Sequence, residues 1–487
     1  MLKKKVFSSI RWTAASAAMQ LLLRVAQLAI LARLLSAEDF GLMAIVLVVL
    51  AYGTLFADMG VNSAFVQRQD VSLEQRSSLF WLNIVIAMTI AIAIVAISPL
   101  AAGFFGDERL QPLMMLSASI VVFAAFGAQI KMARSKELDF RQLVLLEILA
   151  ALAGLVVAVA GALAGWGVYA LVASGIVTSL TGTILAWAFL ARGWRPMWRM
   201  KAIDIKSFLG FGSALTANNI VNQINSTIDI FIGGKLFDAS QLGFYSVPRN
   251  LCLQIQMVVN PIVTRVGFPL IAQVQHDVGR IKLIYKKTMN MVASTTAPVY
   301  IFVALFSPEI VTVLLGPNWE NSIELLRVLA LWGGLRSLCN PSGSLLLGMG
   351  RAGLALKWNL GLLFIVPPVL WFGAQGGPEG MAWAMFGLMA LLFFPVWLVL
   401  VRPLCHMGVI EYAVSGLKPF LLAGAAFVPA YMATTELDMA IVRLAAGAVI
   451  GGLLYLLLSY KFNREWTEAM LELLGIKGVQ GQKLKDV

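Results

Sequence analysis

The sequence predicts an all-α integral membrane protein with about 14 transmembrane helices, in two parallel six-helix repeats followed by two C-terminal helices. Three observations lead to this prediction. Long apolar segments alternate with short loops, positive charge falls on every second loop, and the two halves of the chain share a short sequence match. The 487-residue chain is 60% hydrophobic and 13% charged, whereas soluble domains carry about 25% charged residues.

The apolar segments set the number of helices. About 20 consecutive apolar residues are long enough to cross a bilayer as a helix. The predicted spans, numbered in chain order, are 10–34, 39–67, 76–100, 109–133, 141–163, 166–192, 206–233, 241–270, 281–306, 322–348, 353–373, 378–402, 414–435 and 439–460. Between spans 9 and 10, Ile310–Leu315 is apolar but too short to cross, and no polar stretch is long enough to form a soluble domain.

Lysine and arginine placement predicts the orientation, because these residues concentrate in cytoplasmic loops. Of the 37 Lys and Arg residues, 28 fall in the termini and alternate loops that we assign to the cytoplasm, four on the opposite side and five within helices. We therefore expect both termini in the cytoplasm and a first span that is retained rather than cleaved as a signal peptide. Basic loops beside anionic lipids account for the net charge of +12, so nucleic-acid binding is not needed to explain it.

The short outer loops argue against an enzyme that works on saccharides at the outer face, because such an enzyme usually presents a sizeable outer loop or an acidic pair there. Glu38–Asp39 is the one weak candidate for such a pair. Acids that complement the dipole at the start of a helix are the simpler explanation for these two residues. No Cys/His cluster has metal-ligand spacing. The sequence therefore predicts no catalytic residue, no metal and no cofactor.

An internal repeat is visible at the turns that follow spans 1 and 7. The segment Arg33–Leu42 aligns with Lys235–Phe244 at an offset of 202 residues, with identical Leu, Ala and Gly positions. Since six helices separate the two segments, the repeats are predicted to be parallel, related by an axis along the membrane normal. We place the lobes at 1–205 and 206–405, with spans 13 and 14 and the tail at 406–487. A chance match between two similar turns is the alternative.

Two predicted helices carry polar stripes at equivalent positions in the two repeats. Helical spacing places the residues of each stripe on one face. The stripe of span 1 is Thr13, Gln20, Arg24 and Gln27, and that of span 7 is Asn218, Asn222, Asn225 and Asp229. A shared aqueous cavity is the favoured interpretation, and hydrogen bonds that join neighbouring helices are the alternative.

Buried cations indicate what such a cavity binds. Span 8 places Arg249, Gln256 and Asn260 on one face, and Arg336 lies deep in span 10. A charge at such depth costs at least about 2.5 kcal/mol, so it needs a partner or water. An excess of cations would select an anion, with phosphate the natural candidate for guanidinium groups. Pairing of Asp229 with Arg249 is the alternative, and Asp58 or Asp229 could instead carry a coupling ion, H+ or Na+.

Four stretches of the sequence resemble the Wzx-type polysaccharide flippases, in the branch that contains the colanic acid and teichuronic acid exporters. They are Phe56–Arg68, Leu79–Asn83, Asn260–Pro269 and Gly333–Gly343. The resemblance implies a member of the multidrug/oligosaccharidyl-lipid/polysaccharide exporter superfamily, with two six-helix lobes in a V. It also implies a cationic cavity on helices 1, 2, 7 and 8, which suits Arg24 and Arg249, although span 2 has no arginine in its middle.

The resemblance implies a flippase that moves undecaprenyl-pyrophosphate-linked oligosaccharides across a bacterial inner membrane by alternating access. Arg24, Arg249 and Arg336 would then hold the pyrophosphate. Side-chain amides would contact phosphate or sugar, namely Gln20, Gln27, Asn218, Asn222, Asn225 and Gln256. Membrane lipids and a polysaccharide polymerase or export complex are the expected partners. A drug/ion antiporter of the same superfamily and a polymerase or ligase acting on the same lipid intermediate are the alternatives.

Overall fold

The computed structural model describes residues 19–58, 65, 71–137, 140–198 and 200–473. At 57–58, 140, 202–217, 258–269 and 472–473 it describes the backbone only. Within these ranges the chain is helical and contains no β-strand, as the sequence predicts.

The helices of the N-terminal half are numbered here in chain order. They are α1 (19–34), α2 (Ala37–Asp58), α3 (Leu73–Phe105), α4 (Leu110–Lys136), α5 (Phe140–Leu163), α6 (Val168–Leu185) and α7 (Ala202–Leu236). A π-helical turn, Ala186–Leu190, extends α6. Each of these helices overlaps the predicted span of the same number.

The C-terminal half continues the pattern. Its helices are α8 (Ala239–Gln273), α9 (Val278–Leu305), α10 (Ser322–Gly348), α11 (Ala352–Ala374), α12 (Gly377–Val396), α13 (Val409–Ala433), α14 (Ala440–Phe462) and α15 (Arg464–Leu473). The apolar stretch between α9 and α10 forms only short helical turns, Ser307–Ile310 and Val311–Leu315, which agrees with its prediction as too short to span.

Ten helices in the described part of the chain are long and apolar enough to cross a membrane. They are α2 to α6, α9 and α11 to α14. The other helices predicted to span, α1, α7, α8 and α10, carry nearly all of the predicted site residues. The chain is therefore a multi-pass membrane protein, and the count of 14 spans stays a prediction.

Local sequence explains how the helices at the repeat begin. Ser36 and Asp39 cap the start of α2 reciprocally, because the Asp39 carboxylate accepts from the Ser36 amide at 3.0 Å and the Asp39 amide donates to the Ser36 hydroxyl at 3.3 Å. At an offset of 202 residues, α8 begins in the same way. The Gln241 amide donates to Asp238 at 2.7 Å, and the Asp238 amide donates to Gln241 at 3.4 Å. The two turns thus share a capping box as well as a sequence match.

The starts of α2 and α8 also cross each other in backbone contact. A Cβ added to Gly41 would clash with the carbonyl oxygen of Ala239. A Cβ added to Gly243 would clash with the carbonyl oxygen of Ala37. Because these are the Ala and Gly positions that the sequence match aligns, the contact is reciprocal between equivalent residues.

The chain divides into two compact units, Met1–Ser246 with Asn359–Pro367, and Val247–Trp358 with Pro368–Val487. In the first unit, α4 packs against α3 and α6, and α5 packs against α6. In the second unit, α9 packs against α10 and α13, and α13 packs against α14. The predicted division at 205 and 405 refers to sequence repeats rather than packing and stays a prediction.

Candidate functional site

A polar cavity of about 410 Å³ lies inside the first unit. Four helices line it: α1, α4, α5 and α6. Its polar lining residues are Gln20, Arg24, Gln27, Lys131, Glu147, Thr178 and Ser179, and leucine, alanine and glycine residues complete the wall. A cavity of this volume is large enough for a phosphate-sized group.

The α1 side of the cavity is the predicted polar stripe. Gln20, Arg24 and Gln27 recur at helical spacing, so their side chains leave α1 on one face, and all three line the cavity. The Gln20 amide donates a hydrogen bond of 2.6 Å to the Glu147 carboxylate of α5. For these three residues, the structure therefore agrees with the cavity interpretation of the stripe.

Lys131 enters the cavity from α4. A Cβ added to Gly182 of α6 would lie 3.3 Å from the Lys131 ammonium nitrogen, so the absent side chain leaves room for that ammonium group. The Glu147 carboxylate interacts electrostatically with Lys131. The carboxylate thus receives a hydrogen bond from α1 and faces a cation from α4.

Helix α6 contributes the hydroxyl groups that line the cavity, those of Thr178 and Ser179. The Ser179 hydroxyl donates to the backbone carbonyl of Ile120 at 3.0 Å. Its oxygen therefore keeps acceptor capacity, while its proton is used in holding α6 to α4. The other hydrogen-bond donors of the lining belong to Arg24, Lys131 and the two glutamines, a set of groups suited to an anion with several oxygen atoms.

Asn218 and Asn225 of the α7 stripe do not line this cavity. The Asn225 side chain donates to the backbone carbonyl of Asn359 at 2.8 Å, and the Asn359 side chain donates to Asn218 at 3.2 Å. These bonds tie α7 to α11, as the alternative interpretation of the stripe describes. Asn222 is exposed.

Asp229, a predicted coupling residue, is buried beside a tyrosine. The Tyr245 hydroxyl donates to its carboxylate at 2.9 Å. Two residues earlier in α7, the hydroxyl of Thr227 lies 2.9 Å from the hydroxyl of Tyr52. The side chain of Asp58, the other predicted coupling residue, lies outside the described residues.

The predicted site residues of the second unit are held by local contacts. Arg249 is 5% exposed. The buried Gln256 side chain donates to the carbonyl of Gly333 at 3.1 Å. The Arg336 guanidinium carbon lies 5.1 Å from the centre of the Trp332 ring. Whether these residues bind a substrate stays a prediction, as does the pairing of Asp229 with Arg249.

Lys131 and Glu147 are cavity residues that the sequence analysis did not assign. Lys131 lies five residues from the end of α4, so in the sequence it counts among the positive charges of a cytoplasmic loop. Glu147 was noticeable only as an acid near the start of a predicted span. A signal was present, since both charges fall within helical segments.

The acidic pair at the start of α2 has a structural role in this fold. Glu38 forms an ion pair with Arg109 at 2.5 Å, and Arg109 also pairs with Asp107 at 2.7 Å. Asp39 caps α2 through Ser36. The Glu38 carboxylate therefore joins two turns, and the Asp39 carboxylate caps its own helix, a role typical of acids at the start of a helix.

Comparison with known proteins places the chain among proteins of polysaccharide biosynthesis. A family profile described as "Polysaccharide biosynthesis protein" matches residues 30–324. The teichuronic acid biosynthesis protein TuaB of Bacillus subtilis (strain 168) is 29% identical over 94% of this chain and 96% of its own length. The lipopolysaccharide biosynthesis protein WzxC of Escherichia coli (strain K12) is 27% identical over 88% of both chains.

Among solved structures, the chain is similar to the lipid II flippase MurJ in an inward closed conformation. The TM-score is 0.74, and the match covers 94% of this chain and 99% of that one. The sequence identity is 14%, so this likeness concerns the fold alone.

Proposed function

Because the chain belongs to the polysaccharide biosynthesis protein family, we propose that it flips undecaprenyl-pyrophosphate-linked oligosaccharide repeat units across the bacterial inner membrane. It is a membrane transporter of polysaccharide export rather than an enzyme. In the proposed cycle, the sugar-bearing head group enters from the cytoplasmic leaflet and leaves on the outer leaflet by alternating access, for the assembly of a surface polysaccharide.

The observation that supports this function most directly is the cationic cavity of the first unit. Arg24 and Lys131 line it together with the amides of Gln20 and Gln27. Guanidinium and ammonium groups bind phosphate oxygens through charge-assisted hydrogen bonds. Glutamine amides bind either phosphate oxygens or sugar hydroxyls. This lining suits the junction of a diphosphate and a sugar.

The proposal includes the finer architecture: 14 spans, two parallel six-helix repeats and cytoplasmic termini. The shared capping box and the reciprocal contact between Gly41 and Gly243 support the repeat. The proposal also keeps Arg249, Arg336 and Gln256 as ligands contributed by the second unit. A polysaccharide polymerase or export complex is the proposed partner on the outer side.

The test follows the lipid-linked repeat unit in a strain that lacks this chain, with wild-type or variant protein returned. Accumulation of the unit on the cytoplasmic leaflet, relieved by wild type and not by Arg24→Ala, is the expected result. Arg327→Ala is the matched control, because Arg327 forms an ion pair with Glu324 on its own helix at 2.5 Å. Arrival of unpolymerised units on the outer leaflet of the deletion strain would overturn the proposal and favour a polymerase.

A further inference from the structure

The cavity of the first unit contains an acid among its cations. The charged groups that line it are Arg24 from α1, Lys131 from α4 and Glu147 from α5, while α6 contributes the hydroxyls of Thr178 and Ser179. With all three ionised, the lining carries a net charge of about +1 (two cations and one acid). Glu147 is the single acid among these lining residues, so its protonation would change that charge.

The Glu147 carboxylate lines the cavity that an incoming anion would enter. It accepts the 2.6 Å hydrogen bond from Gln20 and acts electrostatically on Lys131. A phosphate group that enters the same 410 Å³ cavity meets the carboxylate as a like charge. Like charges that share a site favour protonation of one of them.

Protonation of Glu147 would favour anion binding in two ways. It removes the like charge, and it frees the electrostatic attraction of Lys131 for the anion. Anion binding and proton binding to Glu147 therefore assist each other, and by reciprocity each raises the affinity for the other.

We propose that this cavity is a proton-linked anion site, in which Lys131 joins Arg24 in holding a phosphate group and Glu147 takes up one proton when that group binds. For the identity of the natural anion, this inference rests on the proposed flippase function. It assigns the coupling ion to H+ and the coupling residue to Glu147, in place of Asp58 or Asp229. A phosphate group that departs leaves the protonated carboxyl beside Lys131 again, which favours release of the proton.

The test measures anion binding to the purified full-length chain in detergent, by calorimetry across the neutral pH range. Sulfate is the probe, because it is a tetrahedral dianion that does not titrate in that range. For wild type, uptake of one proton means that affinity rises by up to about tenfold per unit decrease in pH. Repeating the calorimetry in buffers of different ionisation enthalpy measures the number of protons taken up on binding.

Variants separate the two roles. Glu147→Gln is expected to bind sulfate at alkaline pH as tightly as wild type does at acidic pH, without pH dependence. Lys131→Gln is expected to bind about tenfold or more weakly while keeping the pH dependence. Glu137→Gln is the matched control, because this acid pairs with Arg134 and Arg192 and does not line the cavity. Asp229→Asn should likewise leave the pH dependence unchanged.

A second variant keeps the test decisive if Glu147→Gln does not fold. Gln20→Leu removes the hydrogen bond that stabilises the ionised carboxylate, so the midpoint of the pH dependence should move to higher pH. Wild-type sulfate binding that is independent of pH, or that cannot be detected, overturns the inference. Neither result affects the proposed flippase function, which is tested separately by the leaflet on which the lipid-linked unit accumulates in the deletion strain.

Discussion

Gly41 at the start of α2 lies directly against the backbone carbonyl of Ala239 at the start of α8, so closely that a methyl group on Gly41 would overlap with the oxygen. The reciprocal contact joins Gly243 to Ala37. Backbone cannot move aside as a flexible side chain can, so both crossings require glycine.

Gly41→Ala is therefore expected to destabilise the protein by about 1–3 kcal/mol, the usual cost of overpacking. Thermal unfolding of the purified protein in detergent measures the change. Gly103→Ala in α3 is the matched control, since a Cβ there meets open space and alanine is the better helix former. Equal melting temperatures for Gly41→Ala and wild type would contradict the crossing.

Arg24 is expected to resist replacement by lysine. A guanidinium group binds two phosphate oxygens at once, whereas an ammonium group provides a point charge. Loss of one charge-assisted hydrogen bond corresponds to about a tenfold or greater loss of transport. The rate at which the lipid-linked unit reaches the outer leaflet measures this loss. Wild-type transport by Arg24→Lys would show that charge alone suffices at this position, and Arg327→Lys is the control.

Asn359→Ala distinguishes the two interpretations of the α7 stripe. If the amides only join α7 to α11, Asn359→Ala loses the side-chain bond to Asn218 and keeps the backbone carbonyl that accepts from Asn225. The loss then costs about 0.6 kcal/mol, the average value for such bonds in membranes. Thermal unfolding should then show the loss while transport per folded molecule stays unchanged, and Asn222→Ala serves as the exposed control. A transport defect without destabilisation would instead place these amides in the substrate path.

Acid is expected to weaken the ion pair between Asp107 and Arg109 in the turn between α3 and α4. Hydrogen bonds from Arg109 lower the pKa of Asp107 below its ordinary value of 3.8. Because the folded-state pKa is the lower one, the unfolded chain binds the proton more readily. The stabilising contribution is thus fully present above the ordinary pKa and is lost as pH falls through the folded-state pKa.

Melting temperatures at neutral and acidic pH check this expectation. Asp107→Asn should lower the melting temperature at neutral pH and make a smaller difference in acid. Glu108→Gln, which changes the neighbouring acid, is the control. The effect is small because Arg109 is about half exposed at 51%, and solvent weakens such pairs. An Asp107→Asn deficit that grows in acid would contradict the assigned pKa direction.

Much of the fold could be predicted from the sequence, because the length of an apolar segment determines whether it can form a membrane-spanning helix. Span 10 was predicted at 322–348, and α10 is Ser322–Gly348. Span 6 was predicted to end at 192, and the helical backbone continues through a π turn to Leu190. Helical periodicity likewise predicted that Gln20, Arg24 and Gln27 share a face.

The cavity itself was only partly predictable, because its walls come from helices that are far apart in sequence. Lys131 lies near the end of α4, and although it falls within predicted span 4, the sequence analysis counts it with the loop charges that indicate orientation. Asn359 on α11 gives no sequence signal of its bonds to Asn218 and Asn225. Such contacts depend on which helices become neighbours, and local patterns do not encode that arrangement.

The reciprocal crossing of α2 and α8 has an evolutionary consequence. In a symmetric dimer, a single surface patch recognises a copy of itself, and the Ala37–Gly41 and Ala239–Gly243 segments meet in that way. A chain of half the length with one such segment could make the same contact with a second copy. The crossing is therefore what a duplicated and fused homodimer would retain, and it explains why the match between the two halves survives at this turn.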